Sequence, residues 1–304
     1  MDGIINVYKE AGYTSHDVVA KLRGILQQKK IGHTGTLDPM AIGVLPVCCG
    51  KATKVCELLA DRDKTYQAVC RLGVVTDTQD TTGTVLEENT VSGVITQEEV
   101  IAAAKSFLGD SYQIPPMYSA VKVNGKKLYE LAREGKEIER KPRPITISSL
   151  EIMEIDIDEQ IFSMEVTCSK GTYIRTLCHD IGQKLGVGAA MENLVRTRVG
   201  NFEIADAITL DAIEKLQGES AEKLLERVHT VDSLFNGYPK LQVKEEYAGK
   251  LLNGNILMEK HLRPFMDGNM TETDDGECLV YDEEGRFKAV YRRSGSEYIV
   301  TKMF

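Results

Sequence analysis

The chain is short of long apolar runs, of paired metal ligands and of positive charge, and each shortage removes a class of function. No apolar stretch reaches the length of a membrane span. The start, Met1-Asp2-Gly3-Ile4-Ile5-Asn6, has no basic segment followed by an apolar one, so no secretory signal and a cytoplasmic location are expected. The seven cysteines are odd in number, form no C-x-x-C pair and have apolar neighbours, as in Pro46-Val47-Cys48-Cys49-Gly50. Small buried thiols are expected, not a disulfide framework or a zinc site. None of the five histidines stands at the H-x-x-x-H spacing of a zinc hydrolase, so metal catalysis has no support. A phosphate loop is missing too. The stretch from Gly43 to Gly50-Lys51-Ala52-Thr53 is too long between its glycines and puts Ala52 where Ser or Thr should stand.

Base is scarce overall, with a net charge of −9, which argues against a generic nucleic-acid binder. The charge is uneven, however. Residues 116–144 carry eight bases against four acids, and residues 272–284 carry seven acids and no base. A local basic surface on an acidic protein is compatible with RNA, although charge alone reads these segments as solvated faces.

What is present reads as an α+β chain of 304 residues, long enough for one large domain and one small one. Gly3–Lys9 reads as a strand, and Thr14 or Ser15 caps a helix with Val18, Val19, Leu22, Ile25 and Leu26 on one face. Residues 64–75 alternate as a strand. Thr96-x-x-Glu99 is a capping box for a helix expected to run to Leu108 and stop at Gly109. Asn124-Gly125 signals a tight turn inside the basic segment, which prolines flank, so 116–144 reads as an excursion from the main sheet. Residues 145–157 and 160–168 read as strands, 172–185 as a helix ending at Gly186, and 207–235 as short acidic helices. The pattern changes at Tyr238-Pro239-Lys240. Domains of 1–238 and 239–304 are expected, the second mostly β.

The chemistry concentrates in Gly32-His33-Thr34-Gly35-Thr36-Leu37-Asp38-Pro39. Two glycines allow unusual backbone angles, and Pro39 keeps Asp38 out of the helical region. The string therefore presents His33 and Asp38 from a shaped loop. Three further strings follow: Lys64-Thr65-Tyr66, Thr76-Asp77-Thr78-Gln79-Asp80 and Lys170-Gly171-Thr172-Tyr173-Ile174-Arg175-Thr176. Arg175 falls in the first turn of its helix, where the dipole disfavours a cation, so a carboxylate partner is expected to compensate it.

Taken in order, these strings, with GKATK (50–54), PPMYSAVKVNGKKLYELAREG (115–135) and Val195-Arg196-Thr197-Arg198-Val199-Gly200-Asn201-Phe202, resemble the bacterial tRNA pseudouridine synthase B family, the TruB type. The resemblance spans most of residues 3–202. The family usually has Leu where this chain has Val195, and the tail from about 240 resembles a PUA-type RNA-binding module only loosely. The resemblance implies a large catalytic domain with a mixed, mainly antiparallel sheet flanked by helices, plus a small PUA-like domain. It implies an isomerase that turns the uridine at position 55 of the tRNA T loop into pseudouridine without cofactor or metal.

By the same resemblance Asp38 is the nucleophile, a role a carboxylate can play at an electron-poor sugar carbon. His33 fills the space left by the flipped base. Tyr66 stacks on that base and accepts a proton from sugar or base, Arg175 pairs with Asp38, and Tyr173, Leu194 and Asp80 line the uracil pocket with Lys9 near its rim. The 116–144 excursion covers the T arm through phosphate contacts. The expected partner is the tRNA T stem-loop, with no membrane, no protein partner and a monomeric state. The sequence leaves three routes open for Asp38: attack on C1′, addition to the uracil ring, or a glycal. It also leaves two competing roles, a tRNA-folding helper and a synthase acting on another RNA.

Overall fold

The computed structural model describes residues 1–123, 125–265 and 276–304. Asn124 of the expected turn, and Glu272, Asp274 and Asp275 of the acidic run, lie outside the described residues.

The chain opens with β1 (Gly3–Lys9) and α1 (Ser15–Ile25). Thr14 caps α1 through a reciprocal box: its hydroxyl accepts from the Asp17 amide at 3.1 Å, and the Asp17 carboxylate accepts from the Thr14 amide at 2.8 Å. Short β2 (Ile31–His33) leads into the Asp38 loop, and β3 (Ile42–Cys49) leads out of it. After α2 (Cys56–Ala60) comes β4 (Lys64–Leu72). The single strand expected over 64–75 is broken at Gly73, whose φ of +79° a side chain would strain and whose Cβ would strike the Asn89 carbonyl. Beyond the break, β5 (Val74–Thr76) pairs with β6 (Val85–Glu88) as a separate hairpin.

Helix α3 (Gln97–Lys105) has the expected Thr96–Glu99 box but ends before Leu108. Gly109 does not cap it; it begins β7 (Gly109–Gln113). The basic excursion holds a small hairpin, β8 (Lys122–Val123) and β9 (Lys126–Lys127), and α4 (Leu128–Arg133). Long β10 (Arg143–Asp156) and β11 (Ile161–Cys168) follow, then α5 (Ile174–Leu185), which stops at Gly186 in the left-handed conformation. Then come β12 (Ala189–Val199), β13 (Phe202–Glu203), α6 (Leu210–Glu219), α7 (Ala221–Leu225) and β14 (Val228–His229).

These strands form one sheet in the order β14-β1-β3-β12-β4-β11-β10-β7, with β13 on β12 and β2 on β3. Every pairing is antiparallel except β12 with β3. Gly43 permits that parallel approach, since a Cβ there would collide with the Arg196 carbonyl. One core packs Ala68, Cys70, Met164, Val166 and Leu194 against α3 and α5. Another packs Ile5, Val7, Leu45 and Val47 against α1 and α6.

The tail contains β15 (Lys240–Val243), α8 (Ala248–Leu252), β16 (Leu257–Met258), β17 (Leu262–Pro264), β18 (Glu277–Tyr281), β19 (Phe287–Ser294) and β20 (Glu297–Met303). Among the described residues six strands of the tail make their own sheet around Val243, Leu251, Val280, Ala289 and Tyr291. Leu279, Tyr281 and Val290 instead pack with Ile4, Val44 and Cys48, so the two sheets share an apolar seam. No helix among the described residues is long and apolar enough to cross a membrane.

Candidate active site

The loop from His33 to Ala41 is pinned on both flanks, which a segment with so little regular structure requires. The Thr34 amide and hydroxyl both donate to the Pro46 carbonyl, at 3.2 and 3.1 Å. The Leu37 amide donates to the Ser15 hydroxyl on α1 at 2.9 Å, and Leu37 itself is buried. The Gly12 amide donates to the Pro39 carbonyl at 2.9 Å. Lys9, at the end of β1, donates from Nζ to the carbonyls of Glu10 (3.2 Å), Pro39 (3.0 Å) and Ala41 (2.5 Å). Lys9 is fully buried, so it stands under the loop and not on a pocket rim. Burial lowers its pKa to about 8, with Asp38 opposing that shift.

Asp38 emerges from this platform with its side chain 40% exposed. Arg175 grips it as a fork, Nε to Oδ2 at 2.9 Å and Nη2 to Oδ1 at 3.4 Å. Arg175 is itself buried, and its remaining donors are used: Nη1 reaches the Thr78 carbonyl at 2.9 Å, and Nη2 reaches the Tyr118 carbonyl at 2.8 Å. Asp80 adds a second carboxylate, 3.6 Å from Nη1. A cation in the first turn of α5 opposes the helix dipole by about 0.3–1 kcal/mol. Burial of Leu177 and Ile181 on the same helix contributes about 1.5–3 kcal/mol each, so packing holds the helix despite its arginine.

Asp80 is steadied by the Thr78 hydroxyl at 2.9 Å and by the Thr82 amide and hydroxyl at 3.0 and 2.5 Å. Gln79 beside it takes a left-handed φ of +63°, and its amide oxygen accepts from the Thr176 hydroxyl at 2.7 Å. Tyr173 stands at the position before α5 without a side-chain capping bond, and buried Gln113 reads its backbone twice: the Tyr173 amide donates to Gln113 Oε1 at 2.7 Å and Gln113 Nε2 donates to the Tyr173 carbonyl at 3.0 Å. Tyr66 and Leu194 lie buried on the α5 side of the sheet. Desolvation raises the Tyr66 phenol above its ordinary pKa. His33 Nδ1 accepts from the Gly35 amide at 3.3 Å, which leaves Nε2 as the donor of a neutral ring. Burial lowers the His33 pKa, and His16, edge-on at 5.3 Å, lowers it further.

The structure thus brings Asp38, Arg175 and Asp80 into one ion cluster, with Lys9 beneath it. Ser15 enters the sequence only as a candidate helix cap and Arg196 only as part of the 195–202 string, Gln113 carries no signal of its own, and the Thr78 and Tyr118 carbonyls that Arg175 also holds have no sequence signature. Among the described residues, no group of three or more His, Cys, Asp or Glu side chains is placed to hold a metal ion.

A family model described as the TruB family pseudouridylate synthase N-terminal domain matches residues 23–174, and one described as the tRNA pseudouridylate synthase B C-terminal domain matches 175–236. The tRNA pseudouridine synthase B of Lachnoclostridium phytofermentans is 49% identical over the full length of both chains. That of Clostridium kluyveri is 46% identical, covering 88% of this chain and 93% of its own. Among solved structures, a Cbf5–Nop10–Gar1 complex contains a chain 27% identical, with a TM-score of 0.71 over 99% of this chain and 84% of that one. An H/ACA ribonucleoprotein bound to a substrate RNA containing 2′-deoxyuridine contains a chain 25% identical, with a TM-score of 0.72 over the same shares.

Proposed function

The chain belongs to the TruB family of pseudouridylate synthases and is a tRNA pseudouridine synthase, an isomerase, and on that premise we propose that Asp38 is its nucleophile and the T-loop uridine at position 55 its target. The observation that carries the reading is the Arg175–Asp38 fork at 2.9 and 3.4 Å around a carboxylate left 40% open. A carboxylate so held has its charge compensated on one side and free lone pairs on the other.

The reaction breaks the bond from N1 to C1′, turns the uracil, joins C5 to C1′ and moves the C5 proton to a base, while N1 takes up a proton. The net change is isomerisation, and atoms and electrons balance without a redox partner. Asp38 stabilises the sugar carbon or traps the ring while the base is detached. The uridine must leave its stack for this to happen, and His33, neutral and half-buried, fills the place it vacates. Tyr66 stacks under the flipped base and accepts the proton. Tyr173, Leu194 and Asp80 enclose the uracil. Lys9 holds Pro39 and Ala41, which sets the height of Asp38 in the site.

The 116–144 excursion lies over Arg175 through the Tyr118 carbonyl and presents Lys126 and Lys136 to solvent, a placement suited to phosphate contacts along the T arm. The chain divides between residues 238 and 239, 239–304 takes a PUA-like RNA-binding role, and the protein acts alone as a monomer in the cytoplasm. The test is a position-resolved pseudouridine map of tRNA and rRNA from a strain lacking the native enzyme and supplied with this chain. One restored site in the T loop is expected. Restored sites elsewhere, with the T loop unmodified, overturn the assignment.

A further inference from the structure

A second buried arginine touches the Asp38 loop, at Gly35. Arg196 is 1% exposed and is among the largest fully buried side chains of the described residues. It lies on β12 as the Cα partner of Tyr66 on β4, so the two side chains share one face of the sheet. Its Nε donates to the Val44 carbonyl at 2.7 Å and its Nη2 to the Gly35 carbonyl at 3.3 Å. Among the described residues it forms no ion pair. Lys9, Lys64 and His33 add positive or neutral neighbours, not compensation.

A buried cation without a carboxylate is costly. Its retention is explained where an anion forms beside it during the reaction. We propose that Arg196 is a positioning residue for proton transfer, which stabilises the phenolate of Tyr66 and clamps the Asp38 loop at Gly35. The proposal rests on the proton-acceptor role given to Tyr66 above. In that step the phenol first loses its proton to solvent. The C5–H bond of the joined product then breaks, its proton goes to the phenolate oxygen, its electron pair restores the C5–C6 double bond, and N1 takes a proton from solvent that balances the one the phenol released.

The surroundings of Tyr66 oppose its ionisation. Burial raises its pKa, and Cys168 on β11 and Asp38 on the loop act in the same direction. Arg196 is the charge that acts against them. Through Gly35 the same guanidinium fixes the loop three residues before the nucleophile, so base and nucleophile are referred to one group.

The experiment uses the full chain, unmodified tRNA transcripts and single-turnover rates across pH. Arg196→Met is expected to lower the rate by about 100-fold at neutral pH while KM for tRNA moves less than about 3-fold. The ratio of variant to wild-type rate should climb with pH, because the variant phenol ionises later. A ring-fluorinated, more acidic tyrosine at position 66 should shift that climb back by about one pH unit. If Arg196→Met does not fold, Arg196→Lys keeps the charge but loses the paired contacts to the Val44 and Gly35 carbonyls, so a rate loss of about 10-fold with a much weaker climb is expected. A pH-independent loss that fluorination leaves untouched overturns the proposal. Near-normal turnover by Tyr66→Phe is a different failure, because it removes the reading of Tyr66 itself.

Discussion

Buried charge is handled differently in the two sheets. In the tail sheet, Asp282 is buried and its partners are Arg286, Lys288 and the amides of Glu284 and Arg286, all within one hairpin. In the large sheet Lys64 is likewise held locally, by the carbonyls of Ala60 and Arg62, but three buried cations around the Asp38 loop take partners from far along the chain. Lys9 holds a carbonyl 32 residues away, Arg175 holds a carboxylate 137 residues away, and Arg196 holds a carbonyl 161 residues away. A buried ion needs partners wherever it sits. Local partners make a hairpin stable. Remote partners that converge on one loop make the loop's geometry depend on the whole fold, which is what a nucleophile placed to within an ångström requires.

This contrast can be broken by experiment. Arg175→Met should leave Asp38 and Asp80 facing each other without their cation and lower kcat by about 100- to 1,000-fold. Arg175→Lys should recover little of it, because a point charge cannot span Asp38 and the carbonyls of Thr78 and Tyr118. Both are read as initial rates with tRNA transcript. A kcat within about 3-fold of wild type for either variant removes the ion cluster from the mechanism.

Lys9→Met should cost about 10-fold in kcat by letting Pro39 and Ala41 shift. Lys9 also predicts opposite pH trends for activity and stability. Burial lowers its pKa to about 8 in the folded chain, against 10.5 for an ordinary lysine. Between those values the unfolded chain binds the extra proton, so this group makes stability rise with pH in that window. Lys64, whose pKa burial also lowers to about 8, acts the same way. As Nζ loses a donor under the loop, the activity of the wild type relative to Lys9→Met should instead decline above pH 8, against the rise that ionisation of Tyr66 brings. Thermal melts should show the stability contribution as about 3 °C between pH 8 and 9.5, reduced in Lys9→Met. A melt profile identical in the two proteins contradicts the assignment.

The smallest effect on turnover belongs to the tail. Asp282→Asn should lower the melting temperature by about 2–5 °C and leave kcat within about 2-fold of wild type. A large loss of kcat at unchanged KM would place the hairpin in the chemistry and erase the contrast.

The same distinction explains what could be read from the sequence. Capping boxes at Thr14 and Thr96 are local, and both helices start as expected. Arg175 was legible as an anomaly, since a cation at a helix N-terminus asks for a carboxylate. Strands β3 and β12 were not legible. Pro46 argues against a strand inside a sheet, yet β3 carries it, and its carbonyl accepts from Thr34. β12 interrupts its apolar residues with Glu192, Asn193, Arg196 and Arg198, because it packs against the site instead of an apolar core alone. Arg196 looks like a surface residue in any local window. Its burial follows from pairings with β4 and β3 that join residues more than a hundred positions apart.

The most direct measurement is release of tritium from C5-labelled uridine in tRNA by Asp38→Asn, with tRNA affinity measured on the same protein. A rate lower by about 10,000-fold or more is expected, with Kd for tRNA within about 3-fold of wild type. Tritium release at the wild-type rate would contradict it, because the carboxylate that the fold assembles at this loop would then have no part in the reaction.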